Sequence, residues 1–239
     1  MKHFLLLIVI FFLAFPATAG EKELDAEPAD PRAVNMVNIQ LIRRGIEDSL
    51  VLEAMLQVPR HKLVPEHLKN AAYLDRPLPI GYGQTISQPY IVAYMTEMVR
   101  PQSHHRALEI GTGSGYQAAV LAQIVEEVYT IEIVRELGKR ARSDLQELGY
   151  DNIQVKLADG YWGWEEHAPF DSIVVTAAAE YIPPPLIEQL AEGGRMIIPV
   201  GHPYQTQYLT LVEKEEGEVT TERLMPVRFV PFTREEETD

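Results

Sequence analysis

The sequence has no cysteine at any of its 239 positions. That excludes disulfide frameworks, thiolate nucleophiles and cysteine-ligated zinc at once. It is also short of positive charge: 21 Lys and Arg stand against 35 Asp and Glu, a formal net charge of -14. A nucleic-acid backbone attracts basic proteins, so nucleic acid is excluded as the main partner. The histidines lack metal-ligand spacing: His61, His67, His167 and His202 are scattered, and the side chains of His104 and His105 are expected to diverge. No metal site is expected. No Ser–His–Asp pattern or nucleophile elbow is present either, and Trp162 and Trp164 read as core or rim rather than a base-stacking platform.

What is there begins with an uninterrupted apolar run over residues 4–15, preceded by Lys2 and followed by Ala17-Thr18-Ala19 before Gly20. This is the three-part pattern of a secretory signal peptide. The run is too short to span a bilayer, so no stable membrane anchor is expected. Residues 1–19 are therefore read as a cleaved export signal, with cleavage near Ala19 and a periplasmic destination; an unused signal leaves the protein cytoplasmic. Residues 20–34 read as a flexible lead-in, 35–232 as a single domain, and 233–239 as an acidic tail.

Within that domain the chain changes character near residue 100. Residues 36–55 suggest two amphipathic helices broken near Gly45, and Val58-Pro59-Arg60 ends the second, because the residue before proline is pushed out of helical geometry. Residues 78–89 read as an apolar loop rich in glycine and proline, followed by a helix over 90–99. Ala107, Leu108 and Ile110 read as the end of a buried strand, and from there strands and helices alternate: strands over 128–133, 153–157, 172–176 and 195–200, helices over 117–125, 135–148 and 186–190, the last stopping at Glu192-Gly193-Gly194, a glycine C-terminal signal. That alternation predicts an α/β fold, a doubly wound and mostly parallel sheet. Residues 208–213, 219–224 and 227–232 predict antiparallel strands at one edge.

The chain is organised around Glu109-Ile110-Gly111-Thr112-Gly113-Ser114-Gly115-Tyr116. A strand that breaks into a glycine turn and opens a helix lets a ligand approach the backbone closely. A dinucleotide fingerprint wants glycine at 116, where Tyr116 stands. Glycines at every second position (Gly111, Gly113, Gly115) instead look like the S-adenosylmethionine loop of class I methyltransferases. Ligands of such sheets sit beyond the carboxyl ends of the strands, and three acids fall there. Glu132 is placed to accept from both ribose hydroxyls, Asp159 to meet an adenine amino group, and Glu109 to orient the loop or the amino acid end of the cofactor. Ser87, before Gln88-Pro89, has two readings. It is a helix N-cap with proline in the first turn, or its hydroxyl and the N–H groups beside it hold an anionic acceptor.

Gly83-Gln84-Thr85-Ile86-Ser87-Gln88-Pro89, Leu108 to Tyr116 and Pro169-Phe170-Asp171-Ser172-Ile173-Val174-Val175-Thr176-Ala177-Ala178 resemble the protein-L-isoaspartate O-methyltransferase family. Val58-Pro59-Arg60, Gly193-Gly194 through Pro199-Val200-Gly201, and Val227-Arg228-Phe229-Val230-Pro231 extend the resemblance over about residues 35–232. It implies a Rossmann-like methyltransferase domain with an N-terminal helical and substrate-loop part (35–100) and a cofactor-binding sheet (101–232). It implies methyl transfer from S-adenosylmethionine to the free carboxylate of L-isoaspartyl, and also D-aspartyl, residues in damaged proteins. The ester then collapses to a succinimide that hydrolyses partly to normal aspartate. By the same resemblance Ser87 is the active-site residue, Thr85 and Ile86 line the acceptor pocket, and the backbone around Val200 to His202 helps hold the peptide.

The chemistry suits the inventory. A carboxylate acceptor is already ionised at neutral pH, with an unperturbed pKa of about 4, so it needs no base, metal or covalent nucleophile. The competing expectations are a methyltransferase for a small exported acid or lipid, a non-catalytic adenosyl-binding module, and, disfavoured by Tyr116, a dehydrogenase. A monomer is expected.

Overall fold

The computed structural model describes residues 30–203 and 205–234. The export-signal reading, most of the lead-in and the acidic end of the tail therefore lie outside the described residues. Helix α1 (Pro31–Asn35) opens on Asp30, whose side chain accepts from the Arg32 N–H, with proline in the first turn. It runs into a π-helical stretch (Met36–Leu41) and a 3₁₀ turn (Ile42–Arg44) that Gly45 ends in the left-handed region. Helix α2 (Ser49–Gln57) starts on an Asp48 cap and stops before Pro59. Two 3₁₀ pieces, Arg60–Leu63 and Glu66–Ala71, follow.

The stretch expected as a loop is instead a two-stranded antiparallel hairpin, β1 (Leu78–Gly81) and β2 (Gln84–Ile86). Alternate residues, Leu78, Ile80 and Ile86, are buried, and Tyr82 and Gly83 take the positive φ of the turn. Helix α3 (Pro89–Met98) leads into the sheet.

The main sheet is built from β3 (Arg106–Ile110), β4 (Glu127–Glu132), β5 (Ile153–Leu157), β6 (Phe170–Val175), β7 (Leu190–Val200), β8 (Gln207–Glu215) and β9 (Glu218–Val227). Their spatial order is β5-β4-β3-β6-β7-β8-β9. The first five are parallel, and β8 and β9 add an antiparallel edge. Helices α4 (Tyr116–Ala122), α5 (Arg135–Glu147) and α6 (Pro184–Glu188) connect them. β3 lies between β4 and β6, so successive connections leave it in opposite directions, and the crevice opens at its carboxyl end. Two apolar clusters cover the two faces. One joins α2, α3 and α4 to the sheet, the other packs around Phe170, Leu186 and Met196.

Two edge details differ from the sequence reading. Gly193 and Gly194 do not end a helix but sit inside β7, where five steps, from Leu190 to Arg195, are taken against two steps of β6. A bulge of that kind needs glycine: Gly193 has φ +75, and a Cβ on Gly194 falls 2.8 Å from the Ala191 carbonyl oxygen. Residues 228–232 form no second edge strand; they cross back over the carboxyl ends, where Ala178 and Pro231 make an isolated parallel bridge. Phe232 N–H donates to Ala178 O at 2.8 Å and Ala178 N–H to Val230 O at 2.9 Å.

Candidate active site

A cleft of about 760 Å³ lies over the carboxyl end of β3. Its floor is the glycine turn, its far wall Ile131 to Val134, its near wall Gln84 to Ser87, and residues 230–233 close one side. Only glycine serves at 111, because φ is +97 and an added Cβ falls 2.4 Å from Thr176 Oγ1. Thr176, just beyond β6, donates back to the Gly111 carbonyl at 2.7 Å, clamping the turn against the neighbouring strand.

The loop's N–H groups are largely used within the chain. Gly111 and Thr112 donate to Ile131 O at 2.8 and 3.2 Å, Gly115 donates to Thr112 O, and Gly113 donates to Glu132 Oε2 at 2.7 Å. Glu132 Oε1 accepts from Val134 N–H at 2.9 Å. Glu132 is thus held rigidly by backbone, 5% exposed, with remaining lone pairs for other donors. Glu109 is almost fully buried beneath the same turn, in a chain in which Thr112, Thr130 and Glu109 are linked by hydroxyl hydrogen bonds. Burial, assisted by the nearby Glu132 charge and opposed by the Thr130 bond, pushes the Glu109 carboxyl up to about 8.

These facts decide the ligand class. A pyrophosphate needs unengaged loop N–H groups or a cation, yet no Lys, Arg or His lines the cleft among the described residues. The Glu132 carboxylate suits the opposite, a phosphate-free ligand carrying hydroxyl donors and positive charge, with Glu109 a neutral acid beneath the turn. The ribose diol, ammonium and sulfonium of S-adenosylmethionine fit that donor set.

Asp159 is 7% exposed and follows β5. Its Oδ1 accepts from Tyr161 N–H at 2.9 Å, and its Oδ2 accepts from Arg234 Nε at 2.7 Å. The Arg234 guanidinium lies 3.7 Å from the Tyr161 ring centroid. Gly160, next to Asp159, lines the cleft.

A second cleft, about 1110 Å³, is lined by Arg44, Gln88, Ile91, Thr206 and residues 225–230. Thr85, Ser87, Thr176 and Val230 line both clefts and so mark their junction. Ile86 is buried and lines the cofactor cleft. Ser87 does not cap α3. The N-cap is Gln88, with no side-chain cap bond, and no hydrogen-bond partner of Ser87 Oγ is found among the described residues. Val200 and His202 line neither cleft. Val200 pairs with Tyr208 and bridges Ala179, while His202 is exposed with its Nε2 3.7 Å from Glu180. Sequence reasoning missed Thr176, whose only signal was its place at the end of a switch-point strand, and the part played by residues 230–233 in closing the cleft.

The parallel sheet with its switch at β3, the glycine turn and the paired carboxyls define a class I S-adenosylmethionine-dependent methyltransferase. The profile of the protein-L-isoaspartate(D-aspartate) O-methyltransferase family matches residues 32–237. A protein-L-isoaspartate O-methyltransferase of Opitutus terrae is 59% identical over 201 residues, covering 84% of this chain and 86% of the relative. One from Cupriavidus necator is 52% identical over 234 residues, 95% of this chain and 90% of the relative. Among solved structures, a putative family member from Plasmodium falciparum in complex with S-adenosyl-L-homocysteine superposes with TM-score 0.73 at 31% identity, over 84% of this chain and 97% of that one. Another, named protein-L-isoaspartate O-methyltransferase, gives TM-score 0.76 at 29% identity; this chain covers it to 65% of its length and is itself covered to 83%. The chain belongs to the protein-L-isoaspartate(D-aspartate) O-methyltransferase family. Its cofactor is S-adenosylmethionine and its reaction is methylation of isoaspartyl carboxylates, the first step of their repair.

Proposed function

We propose that Ser87 is the residue that presents the isoaspartyl carboxylate, and that the second cleft carries the damaged peptide to it. The observation that carries this reading is the junction: Ser87 faces both clefts with an uncommitted hydroxyl. The bound cofactor supplies an electrophilic methyl, so that a carbon–oxygen bond forms as the carbon–sulfur bond breaks, giving a methyl ester and S-adenosylhomocysteine. The protein's part is positioning, which contributes roughly 7–11 kcal/mol in favourable cases. Ser87 Oγ–H donates to one carboxylate oxygen and leaves the other free to react. A stronger grip on both oxygens would weaken the nucleophile. Ile86, Val230 and Phe232 supply apolar wall that strips water from the carboxylate. Thr85 lines the acceptor side of the junction, and the turn after β7 reaches the peptide cleft through Thr206 rather than through Val200 or His202.

The deciding assay pairs two peptides identical except for isoaspartyl or aspartyl at one position. Methyl transfer to the first and not the second is expected. Equal rates would favour a general carboxyl methyltransferase, and no transfer despite cofactor binding would favour a binding module.

The location is proposed from the apolar run and small residues at positions 1–19: export with cleavage before Gly20. Among the described residues no helix is long and apolar enough to cross a membrane. Cell fractionation and N-terminal sequencing test this; recovery of an uncleaved cytoplasmic protein overturns it.

A further inference from the structure

Arg60 is fully buried. Burying a guanidinium is costly unless its donors are matched. Here Nε donates to Ala72 O and Nη2 donates to Ser87 O, each at 2.7 Å. Nη1 is buried with no hydrogen-bond partner among the described residues. Burial draws the group down to about 10, with Tyr116, Tyr73 and Asp75 opposing. An apolar side chain of similar volume would fill this space without that cost, so packing alone does not account for an arginine.

Its geometry does. The guanidinium carbon Cζ lies over the Tyr116 ring, 4.5 Å from its centroid. Tyr116 is the first residue of α4, directly after Gly115 of the cofactor turn, and is itself buried with its hydroxyl on Met55 Sδ at 3.6 Å. One rigid fork therefore touches both halves of the reaction site: it grips residue 87 by its carbonyl and rests on the aromatic that terminates the glycine turn. Residue 116 is also where a dinucleotide-binding turn would carry glycine, which could not support a cation.

We propose that Arg60 is a positioning residue that fixes the separation of Ser87 from the cofactor turn, acting through the Ser87 carbonyl and the Tyr116 ring. This rests on the role given to Ser87 above. Lysine keeps the charge but is a point donor on a flexible stem and cannot reproduce the fork. A displacement of about 1 Å at a reacting group can cost on the order of 100-fold in rate.

The test is Arg60→Lys and Arg60→Met, alone and in the Ser87→Ala background, assayed well below each variant's melting temperature. Expected is a fall in kcat of at least tenfold for Arg60→Met and a smaller one for Arg60→Lys. Affinity for S-adenosylhomocysteine should stay within threefold. In the Ser87→Ala background the same substitutions should cost little more, since the hydroxyl they misplace is gone. Parental kcat in a folded Arg60→Lys variant overturns the proposal. So does an equal fractional loss with and without the serine, which would leave Ser87's own role standing. A fully active Ser87→Ala single variant would instead sink the serine reading first. If neither arginine variant folds, Tyr116→Leu removes the ring while keeping both carbonyl bonds; an unchanged kcat there overturns the proposal as well.

Discussion

The two sides of this active site are built differently. On the cofactor side the functional groups sit at the ends of parallel strands. Glu109 is within β3 and Glu132 ends β4, and backbone ladders set their spacing, Glu109 opposite Thr130 and Ile110 opposite Ile131. On the acceptor side, between helices α1, α2 and α3, the chain is irregular: a π-helical stretch, three 3₁₀ pieces and a short hairpin. Long side chains hold those pieces by reaching backbone carbonyls, Gln40 to Tyr73 O at 2.8 Å, Arg60 to Ala72 and Ser87, and Arg140 from α5 to Ile80 O at 2.8 Å. A sheet places its carboxylates by repetition; the acceptor loop is placed by individual cations. Substitutions on the first side should therefore alter binding of the cofactor, and on the second the productive alignment of the peptide.

The sharpest break in that contrast is Ser87→Ala. Losing one preorganised donor costs roughly 100- to 1,000-fold in turnover where the donor serves the transition state. Turnover with an isoaspartyl peptide should fall on that scale while calorimetric affinity for S-adenosylhomocysteine is nearly kept. Parental turnover would mean that the hydroxyl contributes nothing to catalysis.

Glu132→Ala is the mirror case. Hydrogen bonds to a charged group contribute about 1.5–3 kcal/mol, so S-adenosylhomocysteine should bind roughly 10- to 100-fold more weakly. Glu132 also holds the Gly113 and Val134 N–H groups, so the loss belongs at the upper end. Unchanged affinity would remove Glu132 from the cofactor site.

Smaller again is Arg140→Met, which frees the Ile80 carbonyl and one anchor of the hairpin that carries Thr85. A single bond of about 1 kcal/mol predicts a drop of about fivefold in kcat/KM for the peptide with cofactor affinity unchanged. An equal loss in both would place Arg140 on the cofactor side and blur the division.

The same division explains what could be read in advance. β5 (Ile153–Leu157) is announced by the alternation of apolar and polar residues expected of a half-buried edge strand, and the strand, turn and helix around Gly111 by an apolar run broken by regularly spaced glycines. The hairpin was hidden, since glycine and proline punctuate residues 77–89 while the alternation of Leu78, Ile80 and Ile86 is brief. Gly193-Gly194 follows a helical pattern and so resembles a helix terminus; only the pairing of Phe170 with Leu190 and Ser172 with Arg195 reveals a bulge. Nor does a local pattern disclose that Gln88 rather than Ser87 occupies the cap position, because the competing pull on residue 87 comes from Arg60, 27 residues away.

The smallest effect expected concerns the fold more than the chemistry and tests whether the cofactor side is charged before ligand arrives. Burial raises Glu109 from 4.5 to about 8. Between those two values the folded protein holds a proton that the unfolded chain has released. Stability therefore falls as pH rises through that window: the contribution is complete below about 4.5 and gone above about 8. Glutamine cannot titrate and still offers the Thr130 hydroxyl an acceptor. Glu109→Gln should thus lose less melting temperature than the parent between pH 5 and pH 8, the two curves diverging by a few degrees toward alkaline pH. Measuring the parent-minus-variant difference cancels the other titrating groups. Parallel curves would mean that Glu109 is ionised throughout, leaving the glycine turn above two carboxylates and strengthening its demand for a cationic ligand.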